Sequence, residues 1–229
     1  MSAPGGGEAG GGTKLPIAVF ISGGGTNLQA LLDAAAAGRL QAEVRLVIAS
    51  HAGAAGIERA RAAGVAVRVL RSSEFASLEA FRREMMAALR RSGARLLVLA
   101  GYMKKLPPEV IRAFPDAILN VHPALLPKFG GRGYYGRRVH EAVLAAGETI
   151  SGATVHIVNE TYDEGPTLLQ EEVPVLPGDT PDRLAERVLA VEHRILPEAV
   201  QAFAEGRMRV EGTRAWIVRG GEPPAEGDG

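Results

Sequence analysis

Short runs of apolar residues alternate with amphipathic segments through the first half of the chain. Five runs have the length of a strand and are continuously apolar, which is typical of strands covered on both faces. They are residues 17–21, 44–49, 65–70, 96–100 and 117–121. Between them, apolar residues recur at helical spacing, and two such stripes end just before a glycine. The pattern predicts a doubly wound α/β fold around a mostly parallel sheet.

The second half of the chain changes character. Residues 134–146 are compatible with a helix, and residues 150–158 and 167–176 are long strand-like runs joined by a turn-rich segment. Residues 208–210 and 215–218 flank a glycine-containing turn, which predicts a closing antiparallel hairpin.

A long helix is expected between the last of these runs and the hairpin. Thr180 followed by Pro181 has the form of a helix start, a capping residue and then a first-turn proline, and apolar periodicity continues to Phe203. Pro197 removes one backbone donor and is therefore expected to kink or split this helix.

The two ends of the chain are expected to be flexible tails. Residues 1–14 are rich in glycine and residues 220–229 in Gly, Pro and acid, so ordering them would cost entropy with little apolar burial in return. No linker, repeat or change of composition interrupts the core at about 15–219. We therefore predict one domain over 1–229 rather than two.

Composition narrows the class of protein. The chain has 229 residues, 46% of them hydrophobic and 23% charged, which is usual for a soluble globular protein. Lys plus Arg and Asp plus Glu both total 26, so nothing favours nucleic acid or an acidic membrane as partner. The absence of Cys excludes disulfides, thiolate nucleophiles and thiolate metal sites. Without a membrane-length apolar stretch or a secretory-signal pattern, a cytoplasmic location is expected.

The first candidate site is the glycine-rich segment 21–27, Ile-Ser-Gly-Gly-Gly-Thr-Asn, between the first strand and the first helix. Glycines let backbone N–H groups approach an anion, and the helix N-terminus adds a favourable dipole, so the segment is suited to a phosphate. It is not a P-loop and it matches the dinucleotide fingerprint imperfectly. A tight strand-to-helix turn without a ligand remains the alternative.

The second candidate site is where the fifth run ends. Side chains alternate along a strand, so Asn120 and His122 are predicted to point to the same face, and Pro123 and Pro127 restrict the loop that follows. Ligands of open α/β sheets bind at the carboxyl ends of strands, where the glycine-rich segment also lies. A structural role for His122 is the alternative.

The third candidate is Asp163, in the turn between the two long runs of the second half. A carboxylate there could face the imidazole of His122 and favour its protonated form, although an aspartate before glycine often only bonds its own backbone. His156, nearby in sequence, is interpreted as a core histidine, with a place directly behind the site as the alternative. Metal binding is not predicted, because the remaining histidines lack partners at ligand spacing. They are His51, His140 and His193.

Four segments together resemble the formyltransferase family: 21–29, 99–103, 120–127 and 152–165. Their order and spacing are similar to the branch that formylates glycinamide ribonucleotide in purine synthesis, over nearly all of 15–218. The resemblance implies a Rossmann-like formyltransferase fold and transfer of a formyl group from 10-formyltetrahydrofolate, the formyl-donor co-substrate, to the ribonucleotide amine. It implies no nucleic acid, membrane or metal partner, and a monomer or homodimer.

The resemblance also implies roles for individual residues. Asn120 and His122 would stabilise the oxyanion of a tetrahedral intermediate, while Asp163 would keep His122 protonated, order a water and help carry the proton from the amine to the departing folate nitrogen. The remaining implied residues bind the two substrates. Those for the ribonucleotide are Gly25, Thr26, Asn27 and Glu192, and those for the folate are Met103, Lys104, Lys105, Leu106 and again Asn120.

Two features depart from the family pattern. Relatives often carry an Arg, thought to meet the folate glutamate tail, where Leu78 stands here; Arg82 or Arg83 could replace it from the next turn. The loop at 128–138 lacks the Pro-Gly and the His of many relatives, so the contacts of that loop are not carried over.

Three other functions compete with this one. Formyl transfer to another amine, or hydrolysis of formyltetrahydrofolate, is the nearest alternative, although the tRNA enzyme and the hydrolase normally carry an added domain. A nicotinamide-dependent oxidoreductase would require an acidic residue after the second strand, where Ala49, Ser50 and His51 stand. A noncatalytic nucleotide-binding module is the third possibility.

Overall fold

The computed structural model describes residues 13–218, so the predicted tails, apart from residues 13 and 14, lie outside the described residues. Seven strands form one sheet. They are β1 (Leu15–Ile21), β2 (Ala42–Ala49), β3 (Ala66–Val69), β4 (Leu96–Leu99), β5 (Ile118–His122), β6 (Ile150–Ile157) and β7 (Thr167–Pro174). Their order is β3-β2-β1-β4-β5-β6-β7. β1 to β5 are parallel to one another, and β6 pairs antiparallel with both of its neighbours, β5 and β7.

Helices cover both faces of this sheet. They are α1 (Thr26–Ala36), α2 (Gly56–Ala62), α3 (Leu78–Ser92), α4 (Pro108–Ala113), α5 (Arg137–Ala145) and α6 (Pro181–Ala204). A separate antiparallel pair, β8 (Met208–Glu211) and β9 (Arg214–Ile217), confirms the predicted hairpin.

Strand β1 shows why the sheet has two covered faces. Ile17, Val19 and Ile21 belong to the core shared with α1, α2, α5 and α6, whereas Ala18 and Phe20 belong to the core shared with α3 and α4. All five side chains are completely buried. A continuously apolar run satisfies both faces because side chains alternate, and the predicted doubly wound α/β fold is confirmed.

The prediction that residues 65–70 are covered on both faces is wrong. β3 is the edge strand and pairs only with β2. Ala66 and Arg68 are exposed, while Val67 and Val69 are half-buried. The strand therefore alternates as one-sided strands do, although its sequence is rich in apolar residues.

Pro197 does not split the long helix. α6 begins after Thr180, whose side-chain oxygen accepts a hydrogen bond from the backbone N–H of Arg183, and it continues through Pro197 to Ala204. Apolar side chains before and after the proline, such as Val188 and Val200, are completely buried. Their packing maintains one helix despite the missing backbone donor.

The segment before α5 is also different from the prediction. The helix begins at Arg137, after Gly136, whose φ of 52° lies in the left-handed region. Residues 134–136 consequently belong to a loop and not to a helix beginning at 134. Within residues 13–218, no helix is long and apolar enough to cross a bilayer.

Candidate active site

A cavity of about 680 Å³ opens at the carboxyl ends of β1, β4 and β5. The loops after β1 and β4 diverge here, because strand order reverses between these two strands, and such a switch point is where open α/β sheets bind ligands. All of the residues implied by the resemblance line this one cavity. They are Gly25, Thr26, Asn27, Met103, Lys104, Lys105, Leu106, Asn120, His122, Asp163 and Glu192.

His122 is held between a loop carbonyl and a carboxylate. Its Nε2 lies 2.8 Å from the carbonyl oxygen of Phe129, and its Nδ1 lies 3.7 Å from Oδ2 of Asp163. A carbonyl oxygen only accepts hydrogen bonds, so Nε2 carries a proton whether the ring is neutral or charged. The second proton of a charged ring would therefore sit on Nδ1, facing Asp163.

Burial and charge act in opposite directions on this pair. Burial lowers the pKa of His122, and the charge of Asp163 and the Phe129 carbonyl only partly offset that effect. Burial alone would raise the pKa of Asp163, but His156, His122 and the N–H of Gly131 lower it below its ordinary value. At neutral pH the Asp163 carboxylate is charged, and it opposes the lowering of the His122 pKa by burial without reversing it.

His156 contacts the site residues Asn120 and Asp163, a position that the sequence suggests only as the less favoured alternative. Its Nδ1 donates to the carbonyl of Ile157 at 3.0 Å, and its Nε2 lies 3.0 Å from Nδ2 of Asn120, from which it can accept a hydrogen bond when it carries no proton. The same Nε2 lies 3.4 Å from Oδ1 of Asp163. His156 thus orients the carboxamide that the reaction is expected to use.

The Asp163 turn approaches the site because glycines allow it. Asp163 has a φ of 55°, and its Oδ2 accepts from the N–H of Gly131 at 2.9 Å. A Cβ on Gly130 would lie 2.5 Å from Leu126 Cδ2 and 3.3 Å from the Cβ of Asp163. A Cβ on Gly165 would lie only 1.7 Å from the carbonyl oxygen of Ile157. A glycine is therefore needed two residues after Asp163, because any side chain at Gly165 would collide with the end of β6.

The glycine-rich segment connects to α6 through Asn27 and Glu192. Asn27 Nδ2 donates to Glu192 Oε2 at 2.6 Å, and both residues are buried. Burial raises the pKa of Glu192 to about 7, although the bond from Asn27 lowers it in part. The Oδ1 atom of Asn27 is buried without a hydrogen-bond partner among the described residues. This acceptor is available to a ligand donor in the cavity.

The segment after β4 supplies the opposite wall of the cavity. The N–H of Met103 donates to Oγ of Ser22 at 2.9 Å, which ties this wall to the end of β1. Leu106 is buried, Lys104 is exposed, and Nζ of Lys105 lies 5.3 Å from the ring centre of Tyr162.

His140 lines the cavity, whereas Leu78 and Arg82 do not. His140 on α5 is buried beside the cavity, and burial lowers its pKa to about 4. Leu78 is exposed and does not line the cavity. Arg82 does not line it either and pairs with Glu109 at 3.1 Å. No group of three His, Asp or Glu side chains placed to hold a metal ion occurs in the part of the chain that the structure describes.

Comparison with known proteins identifies the family. Residues 15–200 match the family model described as Formyl transferase. The chain belongs to the formyl transferase family. The resemblance seen in the sequence is therefore confirmed.

Relatives of this formyl transferase carry closely related names. Phosphoribosylglycinamide formyltransferase of Escherichia coli K12 is 39% identical over 91% of this chain and 96% of its own length. The chloroplastic phosphoribosylglycinamide formyltransferase of Arabidopsis thaliana is 40% identical over 92% of this chain and 72% of its own. The human trifunctional purine biosynthetic protein adenosine-3 is 37% identical over 89% of this chain, which is 20% of that protein.

Solved structures share the fold of this formyl transferase. Glycinamide ribonucleotide transformylase 1 of Symbiobacterium toebii superposes with a TM-score of 0.85 at 45% identity, over 91% of this chain and 96% of that one. A formyltetrahydrofolate deformylase of Pseudomonas syringae has a TM-score of 0.82 at 23% identity, over 91% of this chain and 67% of that one. The second similarity shows a common fold alone.

Proposed function

We propose that this formyl transferase moves the formyl group of 10-formyltetrahydrofolate to the amine of glycinamide ribonucleotide, in de novo purine biosynthesis. Relatives with phosphoribosylglycinamide formyltransferase in their names, alike over nearly the whole chain, support this acceptor. The observation that carries the proposal is the meeting of Asn120, His122 and Asp163 in one cavity with the glycine-rich segment. That cavity offers both an anion site and groups suited to acyl transfer.

The ribonucleotide would bind at the start of α1. The backbone N–H groups of Gly25, Thr26 and Asn27 lie at a helix N-terminus, where the helix dipole favours a phosphate. Glu192 and the unpaired Oδ1 of Asn27 can accept hydrogen bonds from the sugar or amide of the same substrate. These contacts place the free amine toward Asn120.

The folate would bind against the wall of the cavity that lies opposite the phosphate site. Met103, Lys104, Lys105 and Leu106 line that part of the cavity, with Asn120 at its inner end. Leu106 offers apolar surface to the ring system, and the two lysines are exposed at the rim, where a carboxylate of the glutamate tail can be paired.

Asn120 would supply one donor to the oxyanion. When the amine attacks the formyl carbon, the carbonyl π electrons move to oxygen and a tetrahedral anion forms. One N–H of Asn120 is engaged by His156, whereas the contact to Oδ1 of Asp163 is long, at 3.4 Å. The second N–H is thus readily redirected to the anion.

His122 and Asp163 would transfer the proton that the attacking amine loses. When Nδ1 of His122 takes up the second proton, the charge of Asp163 at 3.7 Å stabilises the charged ring. That distance is too long for a hydrogen bond, so the same proton can also be donated to the oxyanion. The amine loses its proton through this pair and an ordered water. The same proton passes to the folate nitrogen as the oxyanion re-forms the carbonyl and the carbon–nitrogen bond to the donor breaks.

The test is an absorbance assay of the purified protein with both substrates, beside a reaction that omits the ribonucleotide. Loss of the formyl donor only when the ribonucleotide is present supports the proposal. Equal loss without the ribonucleotide would instead assign hydrolysis of formyltetrahydrofolate. A cytoplasmic location and a monomeric or homodimeric state remain predictions, and the Arabidopsis relative is named as chloroplastic.

A further inference from the structure

The first turn of α2 packs against the glycine-rich turn at residues 23–25, here called the phosphate loop, on the side away from the cavity. The N–H of Gly56 donates to the carbonyl of Gly23 at 3.0 Å. Nε of Arg59 donates to the carbonyl of Gly24 at 2.8 Å. Two successive carbonyl groups of the phosphate loop therefore point toward α2.

The direction of these carbonyls fixes the direction of two N–H groups. The peptide bonds Gly23–Gly24 and Gly24–Gly25 are both trans. In a planar trans peptide bond the C=O and the N–H of the next residue point to opposite sides. The N–H groups of Gly24 and Gly25 consequently point away from α2, and both residues line the cavity. Neither N–H donates a hydrogen bond to any residue within 13–218, which leaves both available to an anion.

Steric fit keeps α2 and the phosphate loop together. Gly25 has a φ of 70°, and a Cβ there would lie 2.6 Å from the Cα of Gly56. A Cβ on Gly56 would in turn lie 2.8 Å from Cδ1 of Ile21 and 2.9 Å from the Cα of Gly25. The two backbones are in direct contact, so a change on α2 is transmitted to the loop without an intervening side chain.

Arg59 contributes a side chain to this contact, and shortening it creates no clash. Its Nη1 donates to Oε1 of Gln29 at 3.3 Å, and Gln29 donates to Asp33 on α1 at 2.8 Å, which holds the guanidinium in place. Arg59 is half-buried and does not line the cavity. It therefore acts on a ligand through the phosphate loop and through its charge, not by contact.

We propose that Arg59 is a positioning residue for phosphate recognition, which fixes the phosphate loop so that the N–H groups of Gly24 and Gly25 face the phosphate of the substrate. The inference rests on the proposed function and names the device that specifies a phosphorylated acceptor. The hydrogen bond to Gly24 keeps the loop preorganised, and the positive charge adds to the potential at the start of α1.

The experiment compares Arg59→Gln, Arg59→Lys and a matched control, Arg61→Gln. Arg61 lies on the same helix but pairs with Glu58 on the exposed side. For Arg59→Gln we expect the KM for glycinamide ribonucleotide to rise about tenfold, which corresponds to about 1.4 kcal/mol. The kcat, the KM for the folate and the KM for an acceptor lacking the phosphate should stay unchanged. Arg59→Lys should be intermediate, because it keeps the charge and loses the geometry of the guanidinium.

Calorimetry with ribose 5-phosphate tests the inference without turnover. Weaker binding by Arg59→Gln, with Arg61→Gln equal to the wild type, supports it. Equal binding and equal KM in the two variants would overturn it, as would a fall in kcat with no change in KM. If the wild-type protein binds ribose 5-phosphate more tightly than Arg59→Gln but does not formylate the ribonucleotide, the proposed function alone is refuted.

Discussion

Nδ1 of His122 lies 3.7 Å from Oδ2 of Asp163, with His122 at the end of β5 and Asp163 in the turn after β6. The ring is 4% exposed, so burial favours its neutral form, and the carboxylate is the first of the groups that oppose this effect. The pKa of His122 is therefore set by burial, which lowers it, against Asp163 and the Phe129 carbonyl, which raise it. Removing the carboxylate leaves burial opposed by the carbonyl alone.

Asp163→Asn is expected to lower the pKa of His122 further and to reduce kcat about 100-fold or more, because the protonated ring loses its stabilising charge. The ring pKa is measured by NMR titration, and kcat by the formyl-transfer assay. Both quantities should change in the same variant.

Asp116→Asn is the matched control. Asp116 also has a positive φ, of 53°, but it is exposed and lies outside the cavity. The control removes any effect of replacing an aspartate in a left-handed conformation. A His122 pKa that does not change in Asp163→Asn, or that rises, would contradict the assignment.

His156 is expected to act through Asn120 and Asp163. His156→Phe leaves the carboxamide without its acceptor and should lower kcat about 10-fold to 100-fold, which is the effect of losing one or two buried hydrogen bonds. His156→Gln keeps an acceptor and should recover part of the rate. Steady-state kinetics with thermal unfolding separate this effect from loss of fold. Equal rates in the two variants would exclude the positioning role.

Glu192 should make stability depend on pH. Its pKa is raised from 4.5 to about 7, so between these values the folded protein binds more protons than the unfolded chain and stability falls as pH rises. The difference corresponds to about 3 kcal/mol. Glu192→Gln abolishes that dependence, and its free energy of unfolding relative to the wild type should increase by up to this amount from pH 5 to pH 8.

Urea denaturation at several pH values measures this difference. Glu198→Gln, an exposed position on the same helix, controls for loss of a charge. The KM of Glu192→Gln for the ribonucleotide should rise at pH 8, where the wild-type carboxylate is ionised and accepts hydrogen bonds. Parallel stability curves for Glu192→Gln and the wild type would show that the carboxyl is not shifted.

Local patterns were enough to predict part of the site. Alternation along a strand placed Asn120 and His122 on one face, and both do line the cavity. The partner of Asn120 could not be predicted in this way. His156 lies opposite Asn120 because β6 runs antiparallel to β5 in a particular register, and a register between strands is a property of the assembled sheet.

Other features depend on tertiary context in the same sense. The bond between Asn27 and Glu192 joins residues 165 positions apart, and only the family resemblance pointed to Glu192. β3 has an apolar sequence, but its position at the edge of the sheet decides its exposure. The pKa of His122 depends on how deeply the ring is buried, which a nearby acidic residue in the sequence does not reveal.

Gly165 offers a steric test of the Asp163 turn. In Gly165→Ala the new Cβ would lie 1.7 Å from the carbonyl oxygen of Ile157, so either the turn or the end of β6 must move. That carbonyl accepts from Nδ1 of His156, and the movement therefore reaches Asn120 as well. We expect a loss of about 3 kcal/mol in the free energy of unfolding, together with a lower kcat.

Gly53→Ala is the control for this change. Gly53 is exposed, and its Cβ would meet only the ring of His51, at 3.4 Å or more, so the effect on stability should stay within about 0.5 kcal/mol. Urea denaturation and the formyl-transfer assay measure both variants. A Gly165→Ala protein with wild-type kcat would mean that the turn can move without disturbing His156, and the positions of Asp163 and His156 would then be independent of each other.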